Sequence, residues 1–433
     1  MKKFLLPLTG LILSASVFAN STDDLFKAIK THDMALMEKA LGKKADVNAL
    51  DKNGSPVLNS AIIWPEMTQK LIEAGANVNN AGKVDMTPLM TAAMMSIPES
   101  MKLLLDAGAD PKFAMKNGMS ILHYATWRSN CAECVSLLVK AGANVNDKDK
   151  NGETPLTIMM TASTPEDRAK TIGYTANAYK AGGFTELPKK FTSGDANDWD
   201  SPADIMKVLI EGGADPNAAN VVGTTPLITA AFFNKVELMR MLIDAGADVS
   251  QKERTGVSPL SYAARNENME AIDLLLEKGA DINERFTDWD PVNATNVKDY
   301  TILSYAVMKN QIEVVKKFLD KGAKCDVDVH GRYYSPLTGC FTVLKNKKPL
   351  FFAIENNNLE MVKLLVETCN IAKGDPSYIM TVDQKQKKYT EELGNVTVTH
   401  TSCYTDGVYT PAGYAGKLGF KDIESYLRSG GFQ

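Results

Sequence analysis

"TTPLITAAFFNKVELMRMLIDAGADVS" runs from Thr224 to Ser250, and it reads as two helices joined by tight turns. Thr225 before Pro226 predicts a helix start. The threonine hydroxyl caps a free amide, and proline sits where its missing N–H costs nothing. Leu227 and the small Ala230 and Ala231 then leave a face on which another helix can pack closely. From Val236 onward, apolar residues return at three- and four-residue spacing, which predicts a second amphipathic helix. Gly246 suits its left-handed C-terminal cap. "ADVS" then turns the chain toward whatever follows.

The same phrases recur along the chain. "AGANVNN" begins at Ala74, "AGADPKF" at Ala107, "AGANVND" at Ala141, "GGADPNA" at Gly212 and "KGADINE" at Lys278. Between them stand "MTPLMTAA" from Met86, "ETPLTIMM" from Glu153 and "VSPLSYAA" from Val257, with "MSILHYAT" from Met119 and "YTILSYAV" from Tyr300 as variants. Self-similarity at this period marks a repeat array. The pattern resembles the ankyrin repeat family from Asp23 to Leu427. That resemblance implies an all-α fold: an ankyrin-repeat solenoid of about ten helix-turn-helix units with β-hairpin fingers and four insertions. Each unit would bury its apolar face only against its neighbours.

Breaks in the period divide the chain. Pro88 to Gly108, Pro226 to Gly246 and Pro259 to Gly279 each span 20 residues, whereas Pro155 to Gly213 spans 58. Gly75 to Pro88 spans 13 residues, but Gly279 to Ile302 spans 23, Gly322 to Pro349 spans 27, and Cys369, in a glycine slot, precedes Pro411 by 42. The expected organisation is a signal peptide at 1–19, a capping repeat at 20–49 and repeats at 50–162. An insertion between two helices of one repeat follows at 163–201, then repeats at 202–283. Repeats with extended fingers occupy 284–372, a long finger insertion 373–407 and a degenerate capping repeat 408–433.

The opening "MKKFLLPLTGLILSASVFA" has a basic start, a short apolar run and small residues at Val17 and Ala19, the signature of a cleaved export signal. The run is shorter than the ~20 residues that span a bilayer, and no later run is long enough. The mature chain is therefore expected in the periplasm, or secreted, without membrane insertion and as a monomer. A formal charge of −4 gives no reason to expect a nucleic-acid partner.

Chemistry has little foothold. The sequence holds no nucleophile elbow, phosphate loop, zinc-protease motif or dinucleotide fingerprint, so no enzyme activity, catalytic residue, metal or cofactor is expected. The resemblance implies a bond from His123 to turn backbone. Cys131 and Cys134 form a C-x-x-C pair at a helix start, where thiol pKa values fall, so a thiol–disulfide redox role stands as an alternative to a local disulfide. Cys325, Cys340, Cys369 and Cys403 crowd the last quarter with His330 and His400. In an oxidising compartment they are read as Cys325–Cys340 and Cys369–Cys403 disulfides, each closing one finger, with zinc as the alternative.

Two Asp-Trp-Asp copies stand at 198–200 and 288–290. The first leads into a helix start at Ser201 and Asp204. Trp289 is expected at the tip of a lengthened finger. The resemblance further places Met86, Met94 and Met95, then Met119, Trp127 and Arg128, then Phe232 and Phe233 on a concave groove. Arg265, Asn266, Met308, Lys309, Glu355 and Asn356 follow in later units. Such side chains either bind a partner or pack on neighbouring units. The column Tyr124, Tyr262, Tyr305, Phe352 and Tyr414 is assigned to structure.

The functional expectation is an exported, non-enzymatic protein-binding scaffold, as an inhibitor or immunity protein for a toxin or enzyme. An accessory protein in oxidative-stress defence is the alternative. N-terminal sequencing of protein released by osmotic shock is expected to begin at Asn20. Full-length protein starting at Met1 in the cytoplasm would end the export reading.

Overall fold

A computed structural model describes residues 21–128, 131–161, 185, 201–290, 295–325, 327, 329–335, 340–369, 371, 380–382, 387–393, 396–402 and 407–432. For Arg128 and most strand residues only the backbone is described. The expected signal peptide, Trp199 and Cys403 lie outside the described residues. The chain forms two compact units, Met1–Val221 and Val222–Gln433.

In the first unit, helices pair along the chain. α1 (residues 21–30) pairs with α2 (Met34–Gly42), α3 (Val57–Ala61) with α4 (Pro65–Glu73), and α5 (Pro88–Met94) with α6 (Pro98–Asp106). α7 (Ile121–Arg128) pairs with α8 (Ala132–Lys140), and α9 (Pro155–Met160) with α10 (Pro202–Glu211). Of the chain between α9 and α10, Thr185 alone is described, and its N–H donates to the Lys30 carbonyl at 3.0 Å.

The second unit continues the pattern. α11 (Pro226–Phe232) pairs with α12 (Val236–Asp244), α13 (Pro259–Arg265) with α14 (Met269–Glu277), and α15 (Ile302–Met308) with α16 (Ile312–Asp320). α17 (Pro349–Glu355) pairs with α18 (Leu359–Thr368), and α19 (Pro411–Leu418) with α20 (Lys421–Ser429). Within each unit, from α3 and from α11 onward, the first helix of a pair packs on the first helix of the next.

The local grammar explains these elements. Thr87, Thr154, Thr225 and Ser258 each accept an amide of the first helical turn, with proline next. Leu89, Leu156, Leu227 and Leu260 are fully buried, and so are Ala230 and Ala263 one turn later. Second helices end at a glycine with φ between 84° and 94°, as at Gly75, Gly246, Gly279 and Gly322. That region penalises residues with a Cβ. Cys369 stands in the same slot but keeps φ −83°, and α18 runs one residue longer.

An asparagine ladder fixes the spacing of the repeats. Asn79 donates to the Gly108 carbonyl at 3.1 Å and accepts the Asp110 amide at 2.8 Å. Asn146 does the same with Gly213 and Asp215, at 2.9 and 2.8 Å. In the second unit Asn283 accepts the Lys324 amide at 2.7 Å. Each rung joins the loop after one second helix to the corresponding loop of the next repeat.

The fingers of the second unit depart from an all-α fold. Strands β1 (Arg285–Asp290), β2 (Thr295–Thr301), β3 (Val329–Ser335), β4 (Cys340–Lys347), β5 (Met380–Val382) and β8 (Gly407–Tyr409) form one six-stranded sheet, in the order β1-β2-β3-β4-β5-β8. β6 (Lys387–Leu393) and β7 (Val396–Ser402) form a separate hairpin. Successive fingers join where Val297 faces Gly331 and where Lys345 faces Thr381. The dimensions favour this. Packed helices lie about 8–10 Å apart, and two strands occupy about 9.5 Å. One hairpin is therefore as wide as one repeat, and lengthened fingers meet edge to edge.

The cysteine pairing corrects the expectation from sequence. Cys325 is bonded to Cys369, not to Cys340, so neither finger is closed by the pairs expected. The ladder gives the reason. Cys325 occupies the buried slot that Val78 and Val145 fill elsewhere, and Cys369 fills the glycine slot one repeat on. Adjacent repeats bring those two slots together, as Asn79 and Gly108 show one residue away. Cys131 is bonded to Cys134.

Non-reducing peptide mapping of protein purified from an oxidising compartment should recover a Cys325–Cys369 peptide. A Cys325–Cys340 peptide in its place would contradict this register.

Candidate functional site

The ends of the first helices carry the side chains of interest, because each helix spends its earlier residues on packing. In α11, positions 226 to 231 are all buried, and the next two residues are Phe232 and Phe233. Both are exposed, at 52% and 43%. Their rings meet edge-on, 4.9 Å between centroids. Trp127, at the matching place in α7, is 38% exposed and lies 6.4 Å from the Tyr124 ring.

The other expected groove residues divide. Met86, Met94 and Met119 are half-buried. Met95 is 5% exposed and belongs to the core. It shares a buried corner with Ser96 and Ile97, whereas Phe233 in the same slot is followed by exposed Asn234 and half-buried Lys235. The side chain of Arg128 lies outside the described residues. Trp289 is in strand β1 opposite Asn296, not in the turn, and its side chain is likewise outside the described residues.

Three residues expected to face a partner serve the fold. Asn266 donates to the carbonyls of Ala231 and Phe232, at 3.2 and 2.9 Å. Asn356 donates to those of Val307 and Met308, at 2.8 and 3.2 Å. These amides satisfy helix-end carbonyls of the preceding repeat. Glu355 is buried at 7% exposure, 2.5 Å from Lys347 Nζ, and accepts the Tyr414 hydroxyl at 2.6 Å. Lys347 arrives at the end of β4 and lies 4.1 Å above the Phe352 ring. Burial pushes its ammonium below the usual lysine range, against the pull of Glu355.

A run of rings and cations continues from Phe232 within the second unit. Tyr262 stands edge-on to Phe232, with centroids 5.3 Å apart. The Arg265 guanidinium lies 5.5 Å from the Tyr262 ring, 5.6 Å from Phe286 and 5.4 Å from Tyr305. Lys309 Nζ lies 5.6 Å from the Tyr305 ring. Among the described residues no group of three or more His, Cys, Asp or Glu side chains is placed to hold a metal ion.

A family model for ankyrin repeats in three copies matches residues 25–115, 97–163, 196–286 and 287–377. The chain belongs to the ankyrin repeat family. It is similar to an ankyrin repeat domain-containing protein of Stachybotrys chartarum, 28% identical over 148 residues, which is 33% of this chain and 8% of that protein. The E3 ubiquitin-protein ligase KEG of Arabidopsis thaliana is 27% identical over 213 residues, 45% of this chain and 13% of the ligase. The chain thus spans only a small part of these relatives. The ankyrin repeat protein YahD of Escherichia coli is 23% identical over 210 residues, 48% of this chain and 88% of that protein. Ankyrin repeats are protein-interaction modules, which directs attention to the exposed helix ends above.

The ankyrin pattern also accounts for His123. Its Nδ1 accepts the Ser120 amide at 3.1 Å, and its Nε2 lies 2.9 Å from the Glu153 carbonyl of the next repeat. An accepting Nδ1 leaves Nε2 as the donor, which is the neutral ring. Burial lowers the His123 pKa, although the Glu153 carbonyl and Asp149 pull the other way. A lowered pKa means that the unfolded chain binds the proton more readily. The bridge is therefore fully effective above the unfolded value of about 6.5 and is lost as pH falls below it. Thermal melts at about pH 7.5 and about pH 5.5, either side of that value, should show a larger drop for the natural protein than for His123→Gln. Equal drops would remove His123 from the account.

Proposed function

We propose that this chain is an exported, non-enzymatic scaffold that holds a protein partner against the first-helix ends of its repeats. One observation carries the reading: Phe232 and Phe233 stand side by side and exposed at the end of α11, whereas Glu355 and Met95 in the equivalent slots are buried. Beyond their contacts with each other and with Tyr262, both rings stay open to solvent, and aromatics dominate binding hot spots. Trp127 at the matching place in the first unit supports it.

Export is supported by the N-terminal sequence and agrees with two disulfides, which persist in oxidising compartments. An exported partner then follows, and an inhibitor or immunity role toward an exported toxin or enzyme is the form we favour. In this reading Cys131 and Cys134 serve structure. They are 5% and 0% exposed, and Cys131 Sγ accepts the Cys134 amide at 3.0 Å. Exchange chemistry needs a sulfur that an attacking thiolate can reach.

The test replaces Phe233 with a photo-reactive phenylalanine in the full-length chain expressed in its native cells. A discrete crosslinked species is expected, absent when the group sits at Glu237 on the second helix. For the partner so captured, Phe233→Ala should weaken binding by about 2 kcal/mol, while costing less thermal stability than Leu227→Ala, at about 2–5 kcal/mol. No crosslink from position 233, or the same species from position 237, would overturn the proposal.

A further inference from the structure

Lys347 and Glu355 set an amine against a carboxyl in a dry site. Both side chains are buried, and Nζ lies 2.5 Å from Oε2. Their surroundings are apolar. The Phe352 ring lies 4.1 Å from Nζ, and the Tyr300 ring lies 6.2 Å from that of Phe352. Tyr300, Val329, Phe351 and Phe352 are all buried. Neither partner is free to swing away. Lys347 ends β4, in register with Val329, and Glu355 ends α17. The other carboxylate oxygen, Oε1, accepts the Tyr414 hydroxyl at 2.6 Å.

Three features of this pair are those that amide formation needs. Burial pushes the Lys347 ammonium below the usual lysine range, and a desolvated neutral amine is a nucleophile. A fixed contact replaces a chance encounter, and well-oriented groups reach effective concentrations of about 10⁵–10⁸ M. Negative charge collects on Oε1 when nitrogen adds to the carboxyl carbon, and a donor already in place there, the Tyr414 hydroxyl, stabilises it. The product also removes a cost, because two buried charges become one neutral amide.

We propose that the chain joins Lys347 to Glu355 by its own chemistry, through an amide between Nζ and Cδ. The Nζ–Cδ bond forms and the Cδ–Oε2 bond breaks. Of the three ammonium protons, two leave with Oε2 as water and one stays on nitrogen. Oε1 becomes the amide oxygen and keeps the Tyr414 hydroxyl. The step is redox-neutral and consumes no co-reactant. It fastens the end of β4 to the end of α17, independently of any protein partner.

The test is mass spectrometry of full-length protein that has been folded, purified and aged, then reduced and denatured. The chain should be lighter by one water than its sequence requires. Trypsin cuts neither after an acylated lysine nor before proline, so residues 346–363 should emerge as one peptide. That peptide should also be lighter by one water, and should give no backbone fragments from within 347–355. Lys347→Arg keeps the cation but offers a guanidinium that does not deprotonate, and its chain should show no loss of water. A natural chain at full mass that releases residues 348–363 unmodified would leave the two side chains as an ion pair and overturn the proposal. Water loss that maps to other residues, or that persists in Lys347→Arg, would overturn it too. The peptide map of the natural protein decides the matter even if Lys347→Arg does not fold.

Discussion

Asn79 holds the carbonyl of Gly108 and the amide of Asp110 at once, and Asn146 holds Gly213 and Asp215 in the same way. A side-chain amide has one donor end and one acceptor end, so this double contact admits a single register between neighbouring loops. The packed helices alone would tolerate small slips, since apolar contacts have no direction. Asn146 keeps the register even where residues 162–200 separate the helices of the next repeat. The columns of equivalent side chains, the Cys325–Cys369 pairing and the alignment of the fingers all depend on this spacing.

The sheet of the second unit is a consequence of that spacing and not a second design. Hairpins that project from repeats one helix-width apart meet their neighbours at hydrogen-bonding distance, and pairing removes edges that would otherwise stay open. Lys347 and Glu355 join the sheet to the helices beneath it. Burying two charges gains little over an apolar pair, but the arrangement penalises misplacement of either partner heavily. Tyr414 and the Phe352 ring complete the surroundings of the pair. The end of β4 is therefore held against α17 by electrostatics and by packing together.

Much of the helical framework was legible because its signals are local. Thr225–Pro226 starts a helix and Gly246 ends one wherever the phrase occurs, and the long gap from Pro155 to Gly213 could be measured from those marks. What was missed is relational. Asn266 and Asn356 share one slot, yet no residue type reveals that a carbonyl of the preceding repeat lies within reach. Glu355 stands in a groove slot of the pattern, and the Lys347 that it is buried with comes from a finger with no repeat grammar. Met95 and Phe233 occupy the same position, yet Met95 is buried, as are the Ser96 and Ile97 that follow it, while Phe233 is exposed. The disulfide could have been read. Cys325 in a valine slot and Cys369 in a glycine slot are neighbours by repeat number, although they are 44 residues apart in sequence.

That bridge has a bearing on how the array comes apart. Stacked repeats behave as a one-dimensional chain of neighbours and fray inward from their ends, each step needing only the loss of one interface. The bond from Cys325 to Cys369 ties the α15–α16 repeat to the α17–α18 repeat. While it is intact, the pair α19–α20 can peel away without drawing its neighbours after it. In a reducing cytosol the same fraying would meet no covalent stop, so the redox state of the compartment sets how far opening from the C-terminus can travel.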